Sequence, residues 1–93
     1  MSYRIKPYSY AQAKKLGVTI KPSTVSGKKI DVFNSKGDKL ASIGAIGYKD
    51  YPTFMIEDGK EVAEQKRKNY KQRHAKNRVV RGSAGFYADK ILW

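Results

Sequence analysis

The sequence predicts an α+β domain: a small antiparallel β-sheet packed against one long basic α-helix, with a short helix near each end. Three observations carry this. Residues 28–46 alternate and turn like a hairpin. Residues 58–81 hold no proline and are dominated by good helix formers. Residues 83–93 carry a large apolar load that a free tail would not expose. With 93 residues there is room for a single core, and so for one domain.

In chain order, residues 1–8 are basic and aromatic and are interrupted by Pro7, which fits a short edge strand or an arm. Two roles are open to Tyr3 and Tyr8 there, anchoring to the domain or stacking on bases. Ser9 is placed as the N-cap of a helix over about residues 10–16, with Gly17 closing it, Ala13 and Leu16 inward, and Lys14 and Lys15 outward. Residues 18–21 read as extended and end at Pro22. Residues 23–27 read as loop.

In the hairpin, Ile30 and Val32 share one face, and Asp31 and Phe33 the other. The Asn34–Asp38 turn puts Gly37 where a positive φ is needed. The return strand runs from Lys39 to about Ile43, and Gly44 with Gly47 marks a bulge or a close backbone approach. The two glycines make no phosphate loop, because the lysine and hydroxyl of that motif are missing. Residues 48–56 read as a connecting segment whose Tyr51, Phe54 and Met55 pack under the basic helix.

That helix is expected over about residues 59–76. Asp58 and Glu61 form a capping-box pattern at its start. Ala63, Arg67, Tyr70 and His74 follow at steps of four, three and four and so share a narrow face. Residues 77–82 read as loop. Ser83 then caps a last helix running to about Leu92, and Phe86, Ile91, Leu92 and Trp93 either close the core or dock on a partner.

Function classes follow from charge. The formal net charge is +12, and residues 58–81 hold nine Lys or Arg. Charge this dense repels itself in the folded state, and nucleic acid is its usual partner. An anionic membrane surface fits less well, since no long helix has a strong apolar face, and no apolar run approaches the length of a membrane span. The N-terminus does not read as a signal peptide. There is no cysteine, which excludes disulfides, thiolate metal sites and Cys nucleophiles. Seven Tyr, three Phe and one Trp argue against a disordered basic tail.

No catalytic residue, metal site or cofactor is expected. His74 is the lone histidine, and Ser83 lies in no nucleophile motif. Asp50, Glu57 and Asp58 are the one acid cluster. They suit helix capping, or a Mg²⁺ ion in a metal-dependent nuclease that would use Asp50 and Asp58.

Several pieces together resemble a family of small basic proteins encoded by large double-stranded DNA viruses of algae and protists. They are KKIDVF…KLASIGAIGYKDY, KRKNYKQRH and GSAGFYADKILW. Within them the marked positions are Gly47, Tyr48, Asp50, Arg67, Tyr70, Arg73, His74, Gly85, Leu92 and Trp93. The resemblance covers about residues 9–93. It implies a viral origin, presence in the virion or infected host cell, and no catalytic assignment.

On this reading Tyr70, His74, Trp93 and Asp50 form a structural clamp, with the Trp93 indole N–H met by a carbonyl or by Asp50. Arg73 lies about 60° around the helix from Tyr70. Phosphate contact is expected from Lys66, Arg67, Lys68, Lys71, Arg73, Lys76, Arg78 and Arg81. Diffuse cations give charge without fixed geometry, so DNA would be bound through its backbone with little base readout. The competing expectation is a minor capsid protein. Its basic face would meet acidic surfaces of capsid proteins, and its apolar C-terminal segment or hairpin edge would join neighbours.

Overall fold

A computed structural model describes residues 3–76 and 78–93. Residues 1, 2 and 77, which the sequence reading puts in an arm and a loop, lie outside the described residues. The architecture is α+β. The elements run α1 (Pro7–Leu16), β1 (Thr19–Pro22), β2 (Lys28–Phe33), β3 (Lys39–Ala45), α2 (Tyr51–Glu57), α3 (Lys60–Arg73) and α4 (Ala84–Ile91).

The strands form one antiparallel sheet in the order β1-β2-β3. The register sets Ile20 opposite Val32 and Ile30 opposite Ile43, so these four share a face. With Ile5, Ala13, Ile91 and Leu92 they make the core. The sheet is covered chiefly by α4, which packs on β3 and on α1. Ile91 and Leu92 are fully buried, so the apolar segment after residue 83 closes the core. The far face holds Asp31, buried and bonded by the hydroxyls of Ser23 (2.6 Å) and Ser42 (2.7 Å).

Helix ends differ from expectation for local reasons. α1 starts at Pro7, whose fixed φ suits the first turn. Ser9 is therefore inside the helix and is no cap; its buried hydroxyl donates to the Ile91 carbonyl at 2.9 Å, tying α1 to α4. Residues 51–57 are helical and not a mere connection. Asp50 is the N-cap, accepting from the Thr53 N–H at 3.0 Å, and Pro52 occupies the first turn. Tyr51 packs inward and Phe54 is half-buried, but Met55 faces solvent.

Asp58 forms no capping box. It is the C-cap of α2 and pairs with Lys49 at 2.8 Å. Gly59, at φ 88°, takes the sharp turn and stands at the N-cap of α3. That helix ends at Arg73 with His74 as C-cap, three residues short of Lys76. Ala63 is its one buried residue, so α3 lies against α2 and exposes most of its length.

Gly44 is the close approach that the glycine pair suggests. Its φ is 78°, and a Cβ there would lie 2.8 Å from a Leu92 methyl and 2.9 Å from the Lys29 stem.

Candidate nucleic-acid interface

The eight acids of the chain are sorted by place. Asp31, Asp50 and Asp89 are buried. Glu57, Asp58, Glu61 and Glu64 gather at the α2–α3 elbow, and Asp38 lies in the hairpin turn. Cations occur on every element except α2, and from residue 65 to residue 93 nine Lys or Arg face a single acidic side chain, Asp89, which is 1% exposed. This stretch therefore carries a large positive excess with no exposed acidic side chain of its own.

The eight expected phosphate contacts divide into two sets. Lys66, Lys68, Arg73, Lys76 and Arg81 are exposed. The other three are engaged within the fold. Lys71 Nζ donates to Asp89 at 2.7 Å, and Arg78 stands 4.0 Å from the other oxygen of the same carboxylate. The Arg67 guanidinium lies 4.8 Å over the Tyr51 ring, and its Nε is buried. Arg67 thus fastens α3 to α2 and is poorly placed for phosphate.

Tyr70 lies between two rings. His74 stacks on it at 4.3 Å, and Trp93 at 4.4 Å with only 7° between planes. Phe54 meets Trp93 at 6.2 Å and continues the row. Burial, with Asp89 adding to it, pushes the Tyr70 hydroxyl pKa up.

Asp50 is not part of this stack. It accepts from Lys29 (3.0 Å), Tyr3 (2.6 Å) and the Thr53 hydroxyl (2.6 Å). Burial opposes its charge, but the bonds from Thr53 and Tyr3 and the Lys29 ammonium outweigh it and hold its pKa below the usual range. Asp50 and Asp58 do not converge, each being paired with its own lysine, and no group of three potential metal ligands occurs among the described residues.

The ring row floors a cleft of about 460 Å³ between the base of the hairpin, α2 and α3. Lys28, Lys49, Lys66 and Arg73 line it, as does Tyr48, whose residue is 76% exposed. Of these, Lys66 and Arg73 are expected phosphate contacts from the sequence and Tyr48 is a marked position of the resemblance without a binding role, whereas Lys28 and Lys49 are not singled out. The missed signal is the Gly47-Tyr48-Lys49 turn: two short steps from a positive-φ glycine, it turns a ring and a cation outward.

Comparison with protein-family models, curated proteins and solved structures returned no match. Among the described residues no helix is long and apolar enough to cross a membrane.

Proposed function

We propose that this is a non-enzymatic basic protein that binds DNA through its phosphates, using the exposed cations Lys66, Lys68, Arg73, Lys76 and Arg81. One observation carries the reading: across residues 65–93 the only acidic side chain, Asp89, is buried and engages Lys71, Arg78 and Lys90, which leaves Lys66, Lys68, Arg73, Lys76 and Arg81 exposed with no acidic side chain in their own stretch. Flexible side chains on one helix and the turn after it suit backbone contact more than base readout.

The test is duplex binding measured by anisotropy across a salt series. Tight binding at low salt is expected for any sequence, with a slope of about −0.9 per phosphate contact in log K against log salt. Charge reversal at Lys66, Arg73 and Arg81 together should flatten that slope by roughly three such steps. No binding at low salt overturns the proposal.

The resemblance to proteins of large DNA viruses makes the virion the setting we propose. A second reading, a minor capsid protein between major capsid proteins, draws on a separate observation. Met55, Ile56 and Val62 at the α2–α3 elbow are exposed apolar side chains. Of its two expected joints, the apolar C-terminal segment is spent in the core, with Ile91 and Leu92 buried, which leaves the hairpin edge. Separating a purified particle into shell and genome fractions decides between them: recovery with the genome supports the first, and recovery with the shell the second.

A further inference from the structure

We propose that the cleft between Tyr48 and Trp93 seats an unpaired base of a single-stranded nucleic acid, with the adjoining phosphates held by Lys28, Lys66 and Arg73. This rests on the polyanion reading above and narrows it to strand type.

Size and chemistry agree. A cleft of about 460 Å³ lies within the usual range of small-ligand sites, roughly 300–1,000 Å³. Its floor is a run of rings from Phe54 through Trp93 and Tyr70 to His74. Tyr70 has His74 on one side and Trp93 on the other, so the row meets a base mainly with ring edges, an apolar contact indifferent to sequence, and the open π-face is that of Tyr48.

Tyr48 is a ring of the cleft that the fold does not use. It makes no ring contact among the described residues, although it is the most exposed of the large hydrophobic side chains. Its backbone is nevertheless fixed. Lys29 Nζ, itself buried, donates to the Tyr48 carbonyl, and the Tyr48 N–H donates to Ala45 at 3.4 Å. A free ring on an anchored turn is a stacking platform that loses little freedom on binding.

The charge is one-sided. Asp50 is the single acidic side chain lining the cleft, and it is 1% exposed and turned to Lys29, Tyr3 and Thr53; Lys49 is paired with Glu57 and Asp58 at the rim, so Lys28, Lys66 and Arg73 are the cations left to face a ligand. Lys49 and Lys66 flank the Phe54 ring at 5.5 and 5.9 Å, so cation and aromatic alternate along the wall. That alternation matches a strand that presents base and phosphate in turn. A paired duplex keeps its bases inside and offers the cleft phosphates alone.

Trp93 is the only tryptophan, so its fluorescence reports from the cleft. The full chain is titrated with a single-stranded oligodeoxynucleotide, with a duplex of equal phosphate number, and with polyglutamate. The single strand should quench Trp93 and bind several-fold tighter than the duplex, which should bind without quenching. Tyr48→Ala should weaken single-strand binding by roughly tenfold, as loss of one stacked base implies, and leave duplex binding unchanged. The exposed Tyr48 ring supports no packing, and Tyr48→Phe should behave as the parent. Equal affinity for both strand types with Trp93 unmoved overturns this inference and spares phosphate binding. So does a Tyr48→Ala variant with parental single-strand affinity, or equal quenching by polyglutamate. Failure of both nucleic acids to bind at low salt overturns the two together.

Discussion

Asp50 and Asp89 are both buried, and their surroundings assign them opposite work. Asp50 is filled by two neutral hydroxyls, a backbone N–H and one ammonium, Lys29, which is only 6% exposed. Charge is balanced one to one, and nothing is left for solvent. Asp89 gathers three cations instead: Lys71 at 2.7 Å, Lys90 at 3.8 Å and Arg78 at 4.0 Å. One carboxylate cannot neutralise three, so the Asp89 knot joins α3 to α4 and still presents net positive charge. The same residue type locks one region and organises the working surface of the other.

The largest effect should follow Asp50→Ala. It strands the Lys29 ammonium in the interior, orphans the Tyr3 and Thr53 hydroxyls and removes the cap of α2. Breaking a buried pair in this way costs about 3–5 kcal/mol. Urea unfolding measures it, and a loss under about 1 kcal/mol, the scale of a surface pair, would break the contrast between the two sites.

Asp89→Ala should cost less, about 1–3 kcal/mol. Lys71 and Arg78 are 28% and 32% exposed and can turn into water once released. Polyanion binding should then gain what folding loses. If both freed cations reach phosphate, the salt slope steepens by about 0.9 for each. An unchanged slope would mean that these two lie off the interface.

Gly44 sharpens the comparison from the backbone side. Gly37 and Gly44 share a positive φ, of 87° and 78°, so alanine is strained at both. Only at Gly44 would the new methyl meet neighbours, the Lys29 stem and Leu92, whereas Gly37 has open space. Gly44→Ala should exceed Gly37→Ala by roughly 1–3 kcal/mol, the usual size of an overpacking penalty. Equal costs would show that the approach of β3 to Lys29 and Leu92 is loose.

Periodicity made the sheet, the long helix and the core-closing segment legible, because Ile30, Val32 and Ile43 alternate and Ile91 and Leu92 have no other place to go. Helix boundaries were less so. Asp58, three residues before Glu61, reads as the cap of α3, and only the turn at Gly59 decides that it closes α2 instead. The candidate site was half legible. Lys66 and Arg73 stand in a visible charge run, but Lys28, Tyr48 and Lys49 come to the cleft from the base of the hairpin and the turn beyond it. Pairing across such distances leaves no local pattern. The engagement of Lys71 and Arg78 is hidden for the same reason, since their partner Asp89 lies on another helix.

The smallest effect expected is in acid. Burial raises the pKa of Asp50 and of Asp31, but hydrogen bonds outweigh it at both, from Thr53 and Tyr3 in one case and Ser23 and Ser42 in the other. Lys29 and Lys39 pull the same way, and both folded pKa values lie below the ordinary carboxylate value. The unfolded groups titrate near 3.9. Above that pH, both carboxylates contribute their full stabilisation. As pH falls through 3.9 the unfolded state takes up protons first, and the contribution is lost down to the folded pKa. Stability should be level from neutral pH to about 5 and decline below 4. In Asp50→Asn the decline should be shallower, and what remains should belong chiefly to Asp31. A parental acid slope in Asp50→Asn would mean that Asp50 is not preferentially charged in the fold, and the one-to-one balance with Lys29 would fail as the feature that separates this site from Asp89.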